Sequence, residues 1–305
     1  MLTVSNYHYI RPNFNTKYPS IFGVTPDEFE KQLLTLKNHG DFISPIDLVS
    51  NLEMVLKSNV NYFFVTFDDG LREQHKYALP VLNNHKIPAV FFANSRNFQD
   101  EKVSTVHKIH LLRSILSPLD FIKEINKLGF FLQIDIDQEK AKKIYIYDDA
   151  QSAVLKYILN FKINFVEQER MIKVIFDSFF DENEILNELY MSKDEVVELS
   201  NKGYLGSHTH NHFPVGMLDK KEMKYELENS KLYFEKLTNS TIELLAYPYG
   251  TPEASTIEAA NIATEVGYKI GFTTTRGVNT NQQNNLLLHR FDCNDLPGGK
   301  NYIKI

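Results

Sequence analysis

Short apolar runs bounded by turn residues alternate with amphipathic stretches along most of this chain, the pattern of an α/β domain built on parallel strands. Leu2–Tyr9 reads as the first strand. Thr25-Pro26-Asp27-Glu28 is a capping box with proline at the first helical position, and its helix sets Phe29, Leu33 and Leu36 on one face. Tyr62–Phe67 is a continuous apolar strand, as a strand covered on both faces should be. Ala89–Ala93, Tyr204–Gly206, Ile242–Ala246, Ile270–Thr273 and Leu286–His289 read as further strands. Helices are predicted over Asp219–Leu237 and Pro252–Val266, and Asn279–Asn285 is a polar loop. From about Ser104 to Tyr190 the pattern turns helical, with few strand-like runs such as Ile144–Tyr147. That stretch, 104–190, reads as a lid-like helical insertion within a single catalytic domain spanning 1–305. A second capping box, Ser192-Lys193-Asp194-Glu195, marks the return of the main pattern.

Composition narrows the function classes. A formal net charge of −6 leaves no basic footprint for nucleic acid, so no nucleic-acid partner is expected. One cysteine, Cys293, excludes an internal disulfide and fits a reducing compartment. The start, Met1–His8, has neither a basic nor an apolar leader region. No run approaches the roughly 18 apolar residues that span a bilayer. The expectation is a cytoplasmic protein with no transmembrane segment.

Three motifs follow predicted strands. Asp68-Asp69-Gly70 ends one, His208-Thr209-His210-Asn211-His212 ends another, and Tyr247-Pro248-Tyr249-Gly250 ends a third. In a parallel barrel or sheet those ends share one face, so distant residues converge. Together they offer an oxygen ligand, two nitrogen ligands and a spare carboxylate, a set that suits a catalytic zinc site. Taken singly, each has a plainer reading. Asp-Asp-Gly and Pro-Tyr-Gly are turn sequences. A His-x-x-x-His pair can be a helix face, but Thr209 stands where a helical zinc protease needs glutamate, and Pro214 follows at once.

The combination resembles the polysaccharide deacetylases, the carbohydrate esterases with the NodB-homology domain, including circularly permuted members. Thr66–Gly70 matches the first motif of that family, His208-Thr209-x-x-His212 the second, and Tyr247–Gly250 most of the third. The resemblance implies a distorted (β/α) barrel of about seven parallel strands. It implies that Asp69, His208 and His212 hold a divalent metal, most often Zn2+, and that Asp68 is the general base. Thr209 would orient the histidine loop, and Tyr249 would offer its backbone N–H to the oxyanion. The implied reaction removes N-acetyl groups from an acetylated amino sugar in a glycan or glycan precursor.

The match departs in two places. Ala246 stands where the third motif carries an arginine that steadies the base. Arg290, after the strand Leu286–His289, is the first candidate to replace it and Arg276 the second. A general acid is also needed, because an amine leaves poorly without a proton. Resemblance to the circularly permuted members, which carry the acid histidine near the N-terminus in a Tyr-His context, favours His8, in Tyr7-His8-Tyr9 at the end of the first strand, over His289, which Leu288 pointing inward would turn outward. Two other classes remain open at this level: a catalytically silent glycan-binding protein, and an amidase acting on a non-sugar C–N bond.

Overall fold

A computed structural model describes residues 1–17, 23–129, 138–144 and 149–302. In chain order the elements begin β1 (Leu2–Tyr7), α1 (Pro26–Lys37), β2 (Asp41–Phe42), α2 (Pro45–Lys57) and β3 (Tyr62–Phe67). A π-helical turn (Gln74–Ala78), α3 (Leu79–His85), β4 (Ala89–Ala93) and α4 (Arg96–Gln99) follow. Then come α5 (Thr105–Ile115), α6 (Pro118–Lys127), α7 (Gln138–Ile144), α8 (Ala150–Phe161), α9 (Phe165–Asp177), α10 (Glu182–Leu189) and α11 (Lys193–Asn201). The chain continues through β5 (Leu205–Ser207), α12 (Lys220–Thr238), β6 (Leu244–Ala246), α13 (Ile257–Val266), β7 (Ile270–Phe272) and β8 (Phe291–Asp292). Among the described residues no helix is long and apolar enough to cross a membrane.

The chain divides into two compact units: Met1–Asn13, Gly23–Lys102 and everything from Leu186 onward form the first, and Val103–Ile185 with the residues from Phe14 form the second. The first holds the whole sheet, ordered β7-β6-β5-β4-β3-β1-β8 with β2 beside β3, and every pairing is parallel. The sheet curls into a distorted barrel. Phe64 of β3 stacks on Phe272 of β7 at 5.6 Å, and Phe272 meets Phe92 of β4 at 5.7 Å, so strands distant in the sheet touch across an interior. Outward-facing positions alternate with these. Phe67 stacks on Phe91 at 4.6 Å and meets Phe29 of α1 at 5.6 Å. Such aromatic pairs add about 0.5–1.5 kcal/mol each beyond their buried area.

The seam of the barrel differs from the sequence expectation. Leu286–His289 is not a regular strand. Leu288 bridges Phe272, whereas Phe291 and Asp292 pair with Ser5 and Asn6 of β1. The segment changes partners midway, from β7 to β1, and this breaks its ladder while closing the barrel. Gly271 lets it approach: a Cβ there would lie 2.4 Å from the Leu286 carbonyl oxygen. Other bounds shift by small amounts. The helix expected from Pro252 begins at Ile257, because Thr256 is its N-cap and accepts from the Ala259 N–H.

One helix absent from the sequence reading, α2, buries Leu48, Leu52, Val55 and Leu56 against Leu2, Val4, Phe64 and Phe92. Ser44 caps it and Pro45 opens it. In the second unit, α5 packs on α9 and α6 on α8, burying Leu111, Leu112, Phe121, Ile125, Met171 and Phe176. Of the strand-like run Ile144–Tyr147, Ile144 closes α7 and the rest lies outside the described residues.

Candidate active site and metal centre

The parallel register of β1 and β3 sets Val4 beside Phe64 and Asn6 beside Thr66. Side chains alternate along a strand, so the next pair on the interior side is His8 and Asp68, just beyond the strand ends. The interior therefore passes from apolar to polar toward that end. His8 Nε2 lies 3.8 Å from Asp68 Oδ2; the histidine side chain is 38% exposed and the aspartate 3%. The Gln74 amide ties the two loops together, its Nε2 donating to the carbonyls of His8 (2.9 Å) and Asp68 (2.6 Å).

Arg290 lies inside the barrel, fully buried, on the same side of its segment as Leu288. Its two terminal nitrogens donate to Asp68 Oδ1 and Oδ2, each at 2.7 Å. Further bonds reach Asn6 Oδ1 (3.0 Å), Thr66 Oγ1 (3.2 Å) and, from Nε, the Thr273 carbonyl (2.8 Å). Burial alone would raise the Asp68 pKa; the Arg290 charge, aided by His208, outweighs it and holds the carboxyl below its ordinary value. Arg276 lies elsewhere, 3.6 Å from Asp295 and over the Phe291 ring. His289 faces the other way from Arg290, its backbone N–H donating to Asn279 Oδ1 and its ring standing where a Gly277 Cβ would be.

Asp69, His208 and His212 converge, with one ligand atom from each within 4.8 Å of the others. Nε2 of His208 lies 3.4 Å and Nε2 of His212 3.2 Å from the same oxygen, Asp69 Oδ1. The His208 Nδ1 sits 2.8 Å from the Ala246 carbonyl, which only accepts, so Nδ1 carries a proton and Nε2 faces the cluster. Burial pushes the His208 ring toward neutrality, but Asp68 and Asp69 outweigh it and raise its pKa. Two imidazole nitrogens facing one carboxylate oxygen form a donor set of the kind that can hold a divalent metal.

The backbone around the cluster is unusual. Among the described residues, Asp69, Thr209, His212 and Tyr249 are four of the seven non-glycine residues with positive φ, and they fall in the three motifs. Each costs on the order of 1–3 kcal/mol, and such outliers gather at functional sites. Tyr249 (φ 61°) is the centre of a tight turn in which the Gly250 N–H donates to the Pro248 carbonyl at 2.7 Å. Its ring, 39% exposed, lies 5.4 Å from the His212 ring. Thr209 is buried and its hydroxyl makes no hydrogen bond of good geometry; near it, burial raises the Glu226 pKa, against the opposing pull of the Asn211 and His210 N–H groups. Sequence reasoning passed over Gln74 and Glu226. Their signal was a polar residue at a buried position of a helical face.

A family model for polysaccharide deacetylase matches residues 57–131 and 139–271, more than half of the chain. The curated protein named "Putative polysaccharide deacetylase YxkH", from Bacillus subtilis (strain 168), is 26% identical over 102 residues; the match covers 33% of this chain and 36% of that protein. The fold is similar to that of the Streptococcus pyogenes deacetylase PplD (TM-score 0.60, 17% identity, 97% of this chain and 93% of that one). It is also similar to IcaB from Ammonifex degensii (TM-score 0.58, 18% identity, 95% and 90%). With the strand-end motifs assembled on this barrel, the chain belongs to the polysaccharide deacetylase family of enzymes.

Proposed function

We propose that this chain is a metal-dependent N-deacetylase acting on an acetylated amino sugar of a glycan or glycan precursor. One observation carries the reading: two imidazole Nε2 atoms meet one oxygen of Asp69, while the adjacent Asp68 is held ionised by Arg290. Asp69, His208 and His212 would hold the cation, and zinc suits two imidazoles with one carboxylate. When bound, it polarises the amide carbonyl and makes water acidic enough to attack at neutral pH.

Asp68 is the general base. Arg290 fixes its orientation and leaves it anionic, ready to take the proton of the attacking water. His8, on the exposed side of Asp68, gives a proton to the departing amine. The Tyr249 backbone N–H serves the oxyanion, and its exposed ring offers a flat surface to a sugar. The products are acetate and a free amino sugar. Residues 104–190 are an insertion within the catalytic domain in this reading. The silent-binder alternative leaned on Ala246; an Arg290 that reaches Asp68 from another segment speaks against it. The test is acetate release from N-acetylglucosamine oligomers, before and after chelation and zinc restoration. Release that survives both chelation and Asp69→Ala would overturn the proposal.

A further inference from the structure

His208 and His212 stand on a loop whose backbone is costly, with φ of 65° at Thr209 and 62° at His212. Such geometry persists only where the surroundings over-determine it. Glu226 of α12, 2% exposed, supplies much of that determination. Its Oε2 accepts from the backbone N–H of His210 (3.1 Å) and of Asn211 (2.7 Å), and its Oε1 accepts from the Asn211 side chain (2.5 Å). Two successive N–H groups turned to one oxygen form the concave cradle that elsewhere binds anions. Here the cradle is filled from within by a buried carboxyl group, which grips the two peptides between the histidines. The strand-end segment after β4 holds the other side. Ser95 and Arg96 donate their N–H groups to the carbonyls of Thr209 (3.2 Å) and His210 (3.3 Å), and Ser95 Oγ meets His210 Nδ1 at 2.8 Å.

We infer that Glu226 is a positioning residue for the metal centre, setting the spacing of the His208 and His212 rings from outside the ligand set. The inference rests on the metal reading above and goes beyond it. The test titrates the full chain with Co2+ alone, following its visible absorption, which reports ligand geometry apart from activity. Wild type should bind. Glu226→Ala should weaken binding by about ten- to hundredfold, the usual loss when a group supporting a metal ligand is removed, and should change the spectrum. Glu226→Gln, isosteric and with one acceptor oxygen left, should weaken it less, and it carries the test if the alanine variant does not fold. Phe234→Leu, on the same buried face of α12, should lower the melting temperature and leave Co2+ affinity unchanged. Wild-type affinity and spectrum in both Glu226 variants would overturn the inference, as would an equal loss in Phe234→Leu. A wild-type chain that binds neither Co2+ nor Zn2+ would instead remove the metal reading, and this inference with it.

Discussion

Asp68 and Arg290 are a buried charge pair, 3% and 1% exposed, so removing either strands the other in the barrel interior. Breaking such a pair costs about 3–5 kcal/mol. Arg290→Met should therefore lower the melting temperature, and it should also move its pH dependence. The folded Asp68 pKa lies below the ordinary value, so its contribution to stability is present above about pH 3.9 and lost as pH falls through the folded value. In Arg290→Met burial acts with little opposition and the carboxyl pKa rises, so the loss of stability that Asp68 causes on acidification should shrink, and once its folded pKa passes the unfolded value protonation should favour the fold instead. A melting-temperature scan against pH reads this directly; an acid limb that does not move would mean the pair is not coupled. Asp68→Asn keeps the shape and removes the proposed base. Turnover should fall by roughly 10²–10⁴ with metal content unchanged, measured by acetate release beside metal analysis. The residues proposed as ligands and base were legible in the sequence because each lies in a short contiguous motif at a strand end. Arg290 was legible only as a candidate, through the gap at Ala246 and its place just after the strand Leu286–His289. Glu226 was not, since its partners lie 15 and more residues away and its mark is one carboxylate on a face shared with Met223, Leu227 and Phe234.

The same contrast holds for the elements. Strands covered on both faces, such as β3 and β4, were readable as apolar runs because nothing interrupts their ladders. The closing segment was not, because a strand that trades β7 for β1 at mid-length has no single period. The helix α2 carried its signal in Ser44-Pro45-x-Asp47, yet its apolar positions also suit an irregular connection, and barrel packing decides between them. Arg290 reaches Asp68 only because the closing segment sits tightly on β7. That ties a glycine to the chemistry. In Gly271→Ala the added methyl would meet the Leu286 carbonyl oxygen at 2.4 Å, a backbone atom that cannot swing aside. The segment must shift, and overpacking of this kind costs about 1–3 kcal/mol. The expected result is a lower melting temperature and a lower kcat, with metal affinity kept, because Asp69, His208 and His212 stand on other strand ends. Equal losses of kcat and metal affinity would show that the seam supports the whole site.

At the scale of the molecule, the sheet and every residue assigned to the site fall in the first compact unit, while Val103–Ile185 buries its own apolar helix faces. A chain built this way is expected to depart from two-state unfolding. A ligand that binds one folded unit stabilises that unit by RT ln(1 + [L]/Kd), about 2.7 kcal/mol at a hundredfold excess over Kd. For a unit of this size, each kcal/mol moves the melting temperature by roughly 2–4 °C. Zinc at that excess should therefore raise one calorimetric transition by about 5–10 °C and leave the other in place. Asp69→Ala should abolish the shift, because the oxygen that both imidazoles approach is then gone. If both transitions rise together with zinc, the two units unfold as one, and the metal supports the helical segment as well as the barrel. If neither moves while the protein is folded, no cation binds at Asp69, His208 and His212, and the hydrolytic reading fails at its first requirement.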